Sequence, residues 1–333
     1  MGTQLVWFKR DLRVHDNAAL AQAAAQGPVL CVYIIEPSYW CAPDASQRQF
    51  DFVRECLRDL YRQLKVCGQV LHVLTGEVTE VLAQLHQQQP FSHLHSHQET
   101  GNGLSYQRDL AVAKWCTSHG VVWQEQRQHG VVRRLQSRDV WSDHWQQLMD
   151  APQVATPALQ SADWPWAAQT FPEWQAWGRP TDDAPERQTG GRSEGLRTLH
   201  SFLRERSSQY RGGISSPLSA SSACSRLSPY LSWGCLSLRE VVQATEQTLR
   251  APSTDAWTRK GLNAFMSRLH WHCHFMQKLE SEPAIEHRNM HRGYDGLREN
   301  DWNAEHFERL RTATTGWPLV DACVTMLQHT GWL

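Results

Sequence analysis

Short apolar runs separated by longer amphipathic stretches organise the first half of the chain. Strand-length runs stand at Leu5–Phe8, Val29–Ile35, Val70–Leu74, His93–His97 and Val121–Trp123. Helix-period patterns lie between them, at Asn17–Ala25, Gln47–Cys67, Thr79–Gln88 and Tyr106–His119. This alternation predicts a parallel sheet with helices on both faces. From Gly195 onward the period is helical, with candidates at Gly195–Ser207, Pro229–Trp233, Leu238–Leu249, Asp255–Glu280, Asn303–Arg311 and Pro318–Gln328. Between the two regimes the periodicity fades into Asp150-Ala-Pro, Trp164-Pro-Trp, Phe171-Pro-Glu and Arg179-Pro. Such a Pro-dense stretch reads as a connection crossing a surface, pinned by its tryptophans. The expected fold is α/β then all-α: a five-stranded parallel Rossmann-like domain in 1–149, a connection in 150–190 and a helical domain in 191–333.

Composition narrows the class. At 333 residues with 41% hydrophobic content, the chain can bury sizeable cores. Net charge is −1, which argues against indiscriminate capture of nucleic acid. The charge is divided, however: 17 Lys+Arg against 14 Asp+Glu from Gly191 onward give +3, and 16 against 20 before it give −4. If DNA binds, the second half is the expected surface. Sixteen tryptophans exceed what packing needs and favour a chromophore or nucleotide partner. Nine scattered cysteines without a Cys-x-x-Cys pair predict reduced thiols and a cytoplasmic protein. The apolar run Leu5–Phe8 is cut off by Lys9-Arg10-Asp11, so neither a signal peptide nor a membrane span is expected.

Three local patterns carry candidate chemistry. In Cys224-Ser-Arg-Leu-Ser-Pro-Tyr-Leu, the hydroxyls of Ser225 and Ser228 stand where a helix begins, with Pro229 in its first turn. Unpaired N–H groups at such a terminus attract phosphate, although an ordinary capped helix explains the residues as well. No Gly-x-Gly-x-x-Gly follows the first strand, which argues against an ordinary NAD site. On the helix predicted at Asp255–Glu280, one apolar stripe is Leu262, Phe265, Met266, Leu269, Cys273 and Met276, and a second face holds Ala264, Arg268, Trp271 and Phe275. Two such faces predict a helix sandwiched in a core. His270 and His274 are one turn apart, but they fall on the polar face where solvated histidines are common, and no metal site is expected.

Residues 6–20, Val-Trp-Phe-Lys-Arg-Asp-Leu-Arg-Val-His-Asp-Asn-Ala-Ala-Leu, combine a strand, a charged turn and a cap at Asp16 or Asn17. Arg10, Asp11 and Arg13 read as a structural ion-pair cluster. The stretch also resembles the opening of the cryptochrome/photolyase family of blue-light flavoproteins. Ser225–Leu231 resembles that family's flavin-phosphate segment, with Cys224 where a Thr is usual, and Thr315-Gly-Trp-Pro-Leu-Val-Asp-Ala resembles a third family stretch. The resemblance implies an antenna domain followed by a domain holding FAD.

By that resemblance Tyr210, Cys224, Ser225, Arg226, Leu227 and Ser228 hold the FAD phosphates, and Trp271 and His272 lie by the flavin. Arg268, Trp271, His272 and Phe275 would meet DNA. Arg268 stands where repair enzymes carry an acid, which weakens an expectation of dimer repair. Trp302 aligns near the surface end of the family's electron-transfer chain, two residues out of register. Glu99 matches an acidic contact to a folate-type antenna, which the residues leave open because loop chemistry explains it equally.

The implied function is FAD-dependent, light-driven electron transfer to pyrimidine dimers in damaged DNA, by a monomer. The alternatives are a cryptochrome-type photoreceptor without repair activity, or a truncated chain unable to hold FAD. In the family, a run like Thr330-Gly-Trp leads into further flavin-pocket residues, so a fragment with a phosphate grip and an incomplete ring site is expected.

Overall fold

The computed structural model describes residues 2–162 and 171–333. Trp164 and Trp166 of the predicted connection lie outside the described residues. The first half builds β1 (Gln4–Phe8), α1 (Ala18–Gln26), β2 (Val29–Ile35), α2 (Pro37–Trp40), α3 (Gln47–Val66), β3 (Leu71–Thr75), α4 (Val78–Gln88), β4 (His93–His97), α5 (Gly103–Ser118) and β5 (Val122–Gln126). All pairings are parallel and the order is β3-β2-β1-β4-β5. Every residue of β1 and β2 is buried, as continuous apolar runs between two helical layers require. The edge strand β5 is longer and more polar than expected. Gln124, Glu125 and Gln126 complete its ladder with His95–His97, because backbone pairing needs no apolar side chain at an edge.

The two faces of the sheet differ. Leu5, Trp7, Leu30, Val32 and Ile34 pack under α4 and α5 in a core confined to this half. Val6, Phe8, Cys31, Tyr33 and Ile35 belong to a core that continues through α3 into the helical half. There stand α6 (Trp141–Asp150), α7 (Arg192–Ser201), a wide π turn over Phe202–Arg206, α8 (Ser207–Gly213), α9 (Ala220–Ala223), α10 (Ser228–Ser232), α11 (Leu238–Arg250) and α12 (Ala256–Ser281). Two last helices follow, α13 (Ala304–Arg311) and α14 (Pro318–Thr330). Helix α6 escaped the pattern reading, although Trp141, Trp145 and Met149 recur every fourth residue and are all buried. Trp174 and its neighbours Phe171 and Trp177 tie the connection to Phe50 of α3, as expected of its aromatic residues.

The charged turn after β1 welds the halves together. Asp11 accepts from the Lys9 N–H at 2.7 Å and pairs with His97 Nδ1 at 2.7 Å. Arg13 donates to the Asp16 carbonyl at 3.0 Å and to the Gly234 carbonyl at 2.9 Å. Asp16 accepts from Ser237 Oγ at 2.5 Å, and Asn17 caps α1 by accepting from the Leu20 N–H. Gly234 has φ +62°, and a Cβ there would lie 2.1 Å from the Arg10 carbonyl, so only glycine allows this approach. The expected ion-pair cluster is therefore structural, and it spans both halves.

Candidate functional site

Helix α9 ends at Cys224, whose backbone turns extended (φ −65°, ψ 151°). Arg226 is left-handed (φ +60°), and Leu227 returns to the right-handed region (φ −95°, ψ −11°) with its side chain buried. A left-handed residue beside a right-handed one forms a backbone nest, a concavity suited to an anion. Among the described residues, the N–H groups of Ser225, Arg226, Leu227 and Ser228 donate to no protein acceptor. The neighbouring carbonyls are engaged. Arg206, from the π turn, donates to the carbonyls of Cys224, Ser225 and Thr198, and Gln188 donates to that of Arg226 at 3.0 Å.

This corrects the capping expectation. Helix α10 has five residues, its N-cap is Leu227, and no side chain caps it. Ser225 lies outside the helix and Ser228 within it, so the free donors belong to a loop conformation and not to a capped helix end. Arg206 and Gln188 went unnoticed in the sequence because nothing local marks a side chain that will reach a loop 18 or 38 residues away.

Tyr210 adjoins this loop. Its ring is buried, edge-on to Phe202 at 5.4 Å and to Phe265 of α12 at 5.7 Å. Burial pushes its hydroxyl pKa up, Cys224 adds to the rise and Arg268 opposes it. Helices α8 and α12 touch closely: a Cβ on Gly261 would lie 1.7 Å from the Ser207 carbonyl.

Leu262, Phe265, Leu269 and Cys273 are buried, as expected of the first stripe of α12. The second face is not sandwiched. Arg268, Trp271 and Phe275 are exposed together, with the Arg268 guanidinium 4.9 Å from the Trp271 ring and Trp271 edge-on to Phe275. His272 is half-buried and meets His129 edge-to-face at 5.7 Å, apart from that row. Burial lowers its pKa. His270 and His274 are not freely solvated either: both pack on the Trp141 ring of α6, at 4.8 and 5.7 Å. Among the described residues no cluster of His, Cys, Asp or Glu has metal-holding geometry.

Trp302 is 68% exposed and contacts Phe307 of α13 at 5.1 Å. No residue of α13 or α14 is buried. Helix α14 returns at its end toward the nest, where Arg226 lies over the Trp332 ring at 4.3 Å.

Glu99 sits at the opposite end of α12. Its oxygens accept from Arg10 Nε at 3.2 Å and Arg108 Nη2 at 2.7 Å. Arg108 also reaches Glu36 at 3.1 Å and lies over the Trp7 ring. Burial alone would raise the pKa of Glu99, but Arg108, Lys9 and Arg10 overcome it and hold the carboxyl at about 2. In Glu36 burial wins over Arg108, and its pKa rises to about 7. Glu99 therefore lines a groove of about 370 Å³, shared with Tyr106, Arg134 and Glu280, as an already neutralised wall. Any antenna contact by Glu99 would be made by a carboxylate already shared with Arg10 and Arg108.

Comparison with known proteins bears on the family and the fold. Residues 4–162 match the family model of DNA photolyase, and residues 265–333 match that of the FAD binding domain of DNA photolyase. A cryptochrome DASH of Idiomarina loihiensis is 26% identical, over 98% of this chain and 74% of that protein. A deoxyribodipyrimidine photo-lyase of Vibrio cholerae is also 26% identical, over 99% of this chain and 72% of its own length. The solved bacterial class III photolyase from Agrobacterium tumefaciens superposes with a TM-score of 0.82 at 23% identity, covering all of this chain and 70% of that one. The fold is thus that of a two-domain flavoprotein with a parallel sheet and a helical cofactor domain. The chain belongs to the cryptochrome/photolyase family. Among the described residues no helix is long and apolar enough to cross a membrane.

Proposed function

We propose that this protein is a photolyase-type flavoprotein that binds FAD and acts by blue light on pyrimidine dimers in DNA. The observation that carries the reading is the nest at Ser225–Ser228, set by Tyr210 beside the exposed Arg268–Trp271–Phe275 face of α12. Four unpaired N–H groups with Arg226 among them suit a diphosphate, so the phosphate end of FAD fits these residues. Leu227, buried beneath the loop, keeps its shape, and Cys224 sets its entry. When bound, FAD supplies the photoexcited electron that splits the dimer and then returns.

The protein's own part is to hold and exclude. Arg268 would pair with DNA phosphate, while Trp271 and Phe275 offer ring faces to a base taken out of the stack. His272, kept neutral by burial, would border the flavin without adding charge. Trp302, on the surface, would be an entry point for electrons. In this reading 1–149 is the antenna domain, 150–190 the connection and 191–333 the FAD domain of a cytoplasmic monomer.

Arg268 favours a second reading. A cation where repair enzymes carry an acid suits a cryptochrome-type receptor, whose flavin responds to light without repairing DNA. The purified protein decides between them. A flavin absorption band with blue-light repair of dimer-containing DNA supports the first, and the same band without repair supports the second. In either case Trp271→Ala is expected to weaken dimer-DNA binding by about 1–3 kcal/mol in a titration, the worth of one stacked base. If no flavin band appears after reconstitution with FAD, both readings fail.

A further inference from the structure

Cys56 of α3 and Cys235 of the α10–α11 connection are 179 residues apart in sequence, yet their sulfurs are 3.3 Å apart. Both residues are fully buried. Three pieces of chain hold them together. On the same helix, Phe52 packs against Tyr230 at 5.5 Å, and Asp59 accepts from the Arg192 N–H and the Ser193 hydroxyl. The connection closes the third side: a Cβ on Gly190 would lie 2.8 Å from Cys56 Sγ. Cys235 is fixed through Gly234, whose close approach to Arg10 is described above.

A disulfide needs sulfurs about 2 Å apart, so the pair lacks only about 1 Å of approach. Neither cysteine touches the nest or the exposed face of α12 in any contact described above. Oxidation here would therefore act on the joint between the halves and leave the site residues in place.

We propose that Cys56 and Cys235 form a redox pair that peroxide-class oxidants convert into a disulfide tying the sheet half to the helical half. The thiolate of one cysteine attacks a peroxide oxygen. The O–O bond breaks, hydroxide leaves and takes up a proton, and a sulfenic acid results. The sulfur of the partner thiol then attacks the sulfenic sulfur, forming S–S as S–O breaks, and a second water departs. Two thiols thereby lose two electrons and two protons, and one peroxide becomes two waters.

The enclosure sets the rate. Burial raises the Cys56 thiol well above its ordinary range, so reaction requires the interface to open. The exposed thiol of Cys41 provides an internal clock.

The test treats the full chain with millimolar hydrogen peroxide, alkylates it, and maps peptides without reduction by mass spectrometry. A Cys56–Cys235 linked peptide, two hydrogens lighter than its parts, is expected after Cys41 has reacted. It should vanish with dithiothreitol and in Cys235→Ala, and persist in Cys323→Ser. The oxidised protein is expected to melt at a higher temperature. Recovery of Cys56 and Cys235 as separate alkylated thiols once Cys41 is oxidised overturns the proposal. So does linkage of either one to a different cysteine. The wild-type map decides even where Cys235→Ala fails to fold.

Discussion

At the carboxyl edge of the sheet, Asp11, Arg13, Asp16 and His97 are all buried and each has close polar partners. In α13 and α14 the situation is reversed: Phe307, Leu310, Leu319, Val320 and Leu327 are exposed. The nest at Ser225–Ser228 lies structurally between these extremes. Its carbonyls are engaged as thoroughly as the groups at the sheet edge, while its N–H groups, among the described residues, donate to no protein acceptor. Saturated polar networks fix geometry and leave nothing for a ligand. Open donors on a braced loop do the opposite, which is why the nest and not the sheet edge is the candidate site.

The largest expected effect tests the saturated region. Asp11→Ala leaves the Lys9 N–H and His97 without their buried partner and is expected to cost about 3–4 kcal/mol in a urea melt. A loss below about 1 kcal/mol would show that the sheet edge is no more rigid than the last helices.

A second effect concerns pH. Glu36 has a folded pKa of about 7, against 4.5 ordinarily. Folded protein thus holds this proton where unfolded chain has lost it. Its contribution is full below pH 4.5, declines as pH rises from 4.5 to 7, and is gone above 7. Glu36→Gln should remove that decline, worth about 3 kcal/mol for a shift from 4.5 to about 7, in melts of both proteins across this range. Parallel stability curves for the two would refute the assignment.

The smallest effect probes the nest. Arg226→Gly keeps the left-handed backbone and should retain FAD affinity. Arg226→Val disfavours that conformation and should weaken binding about tenfold, about 1.4 kcal/mol, in a fluorescence titration. Equal losses in both would assign the anion to the guanidinium and not to the loop.

Much of this was legible along the chain. Short apolar runs marked four strands to within a residue, and the 3.6 period marked the helices α3, α11 and α12 closely, because both patterns are local properties of the chain. The polar end of β5 was not legible, since its ladder is supplied by β4. Helix α6 was visible only in the four-residue recurrence of Trp141, Trp145 and Met149.

At the site, the segment Cys224–Ser228 and the row Arg268, Trp271, Phe275 were singled out along the chain. Their chemistry was decided elsewhere. Arg206 and Gln188 occupy the loop carbonyls, Arg10 and Arg108 occupy Glu99, and α6 covers His270 and His274. By itself the sequence determined the order of elements, the family and the loop that could hold a phosphate, all of which depend on neighbours in the chain. Only the tertiary structure decided which donors stay free, which carboxylates are already neutralised and that Cys56 meets Cys235. Those outcomes depend on groups many residues apart, and burial makes each pairing hard to exchange for water.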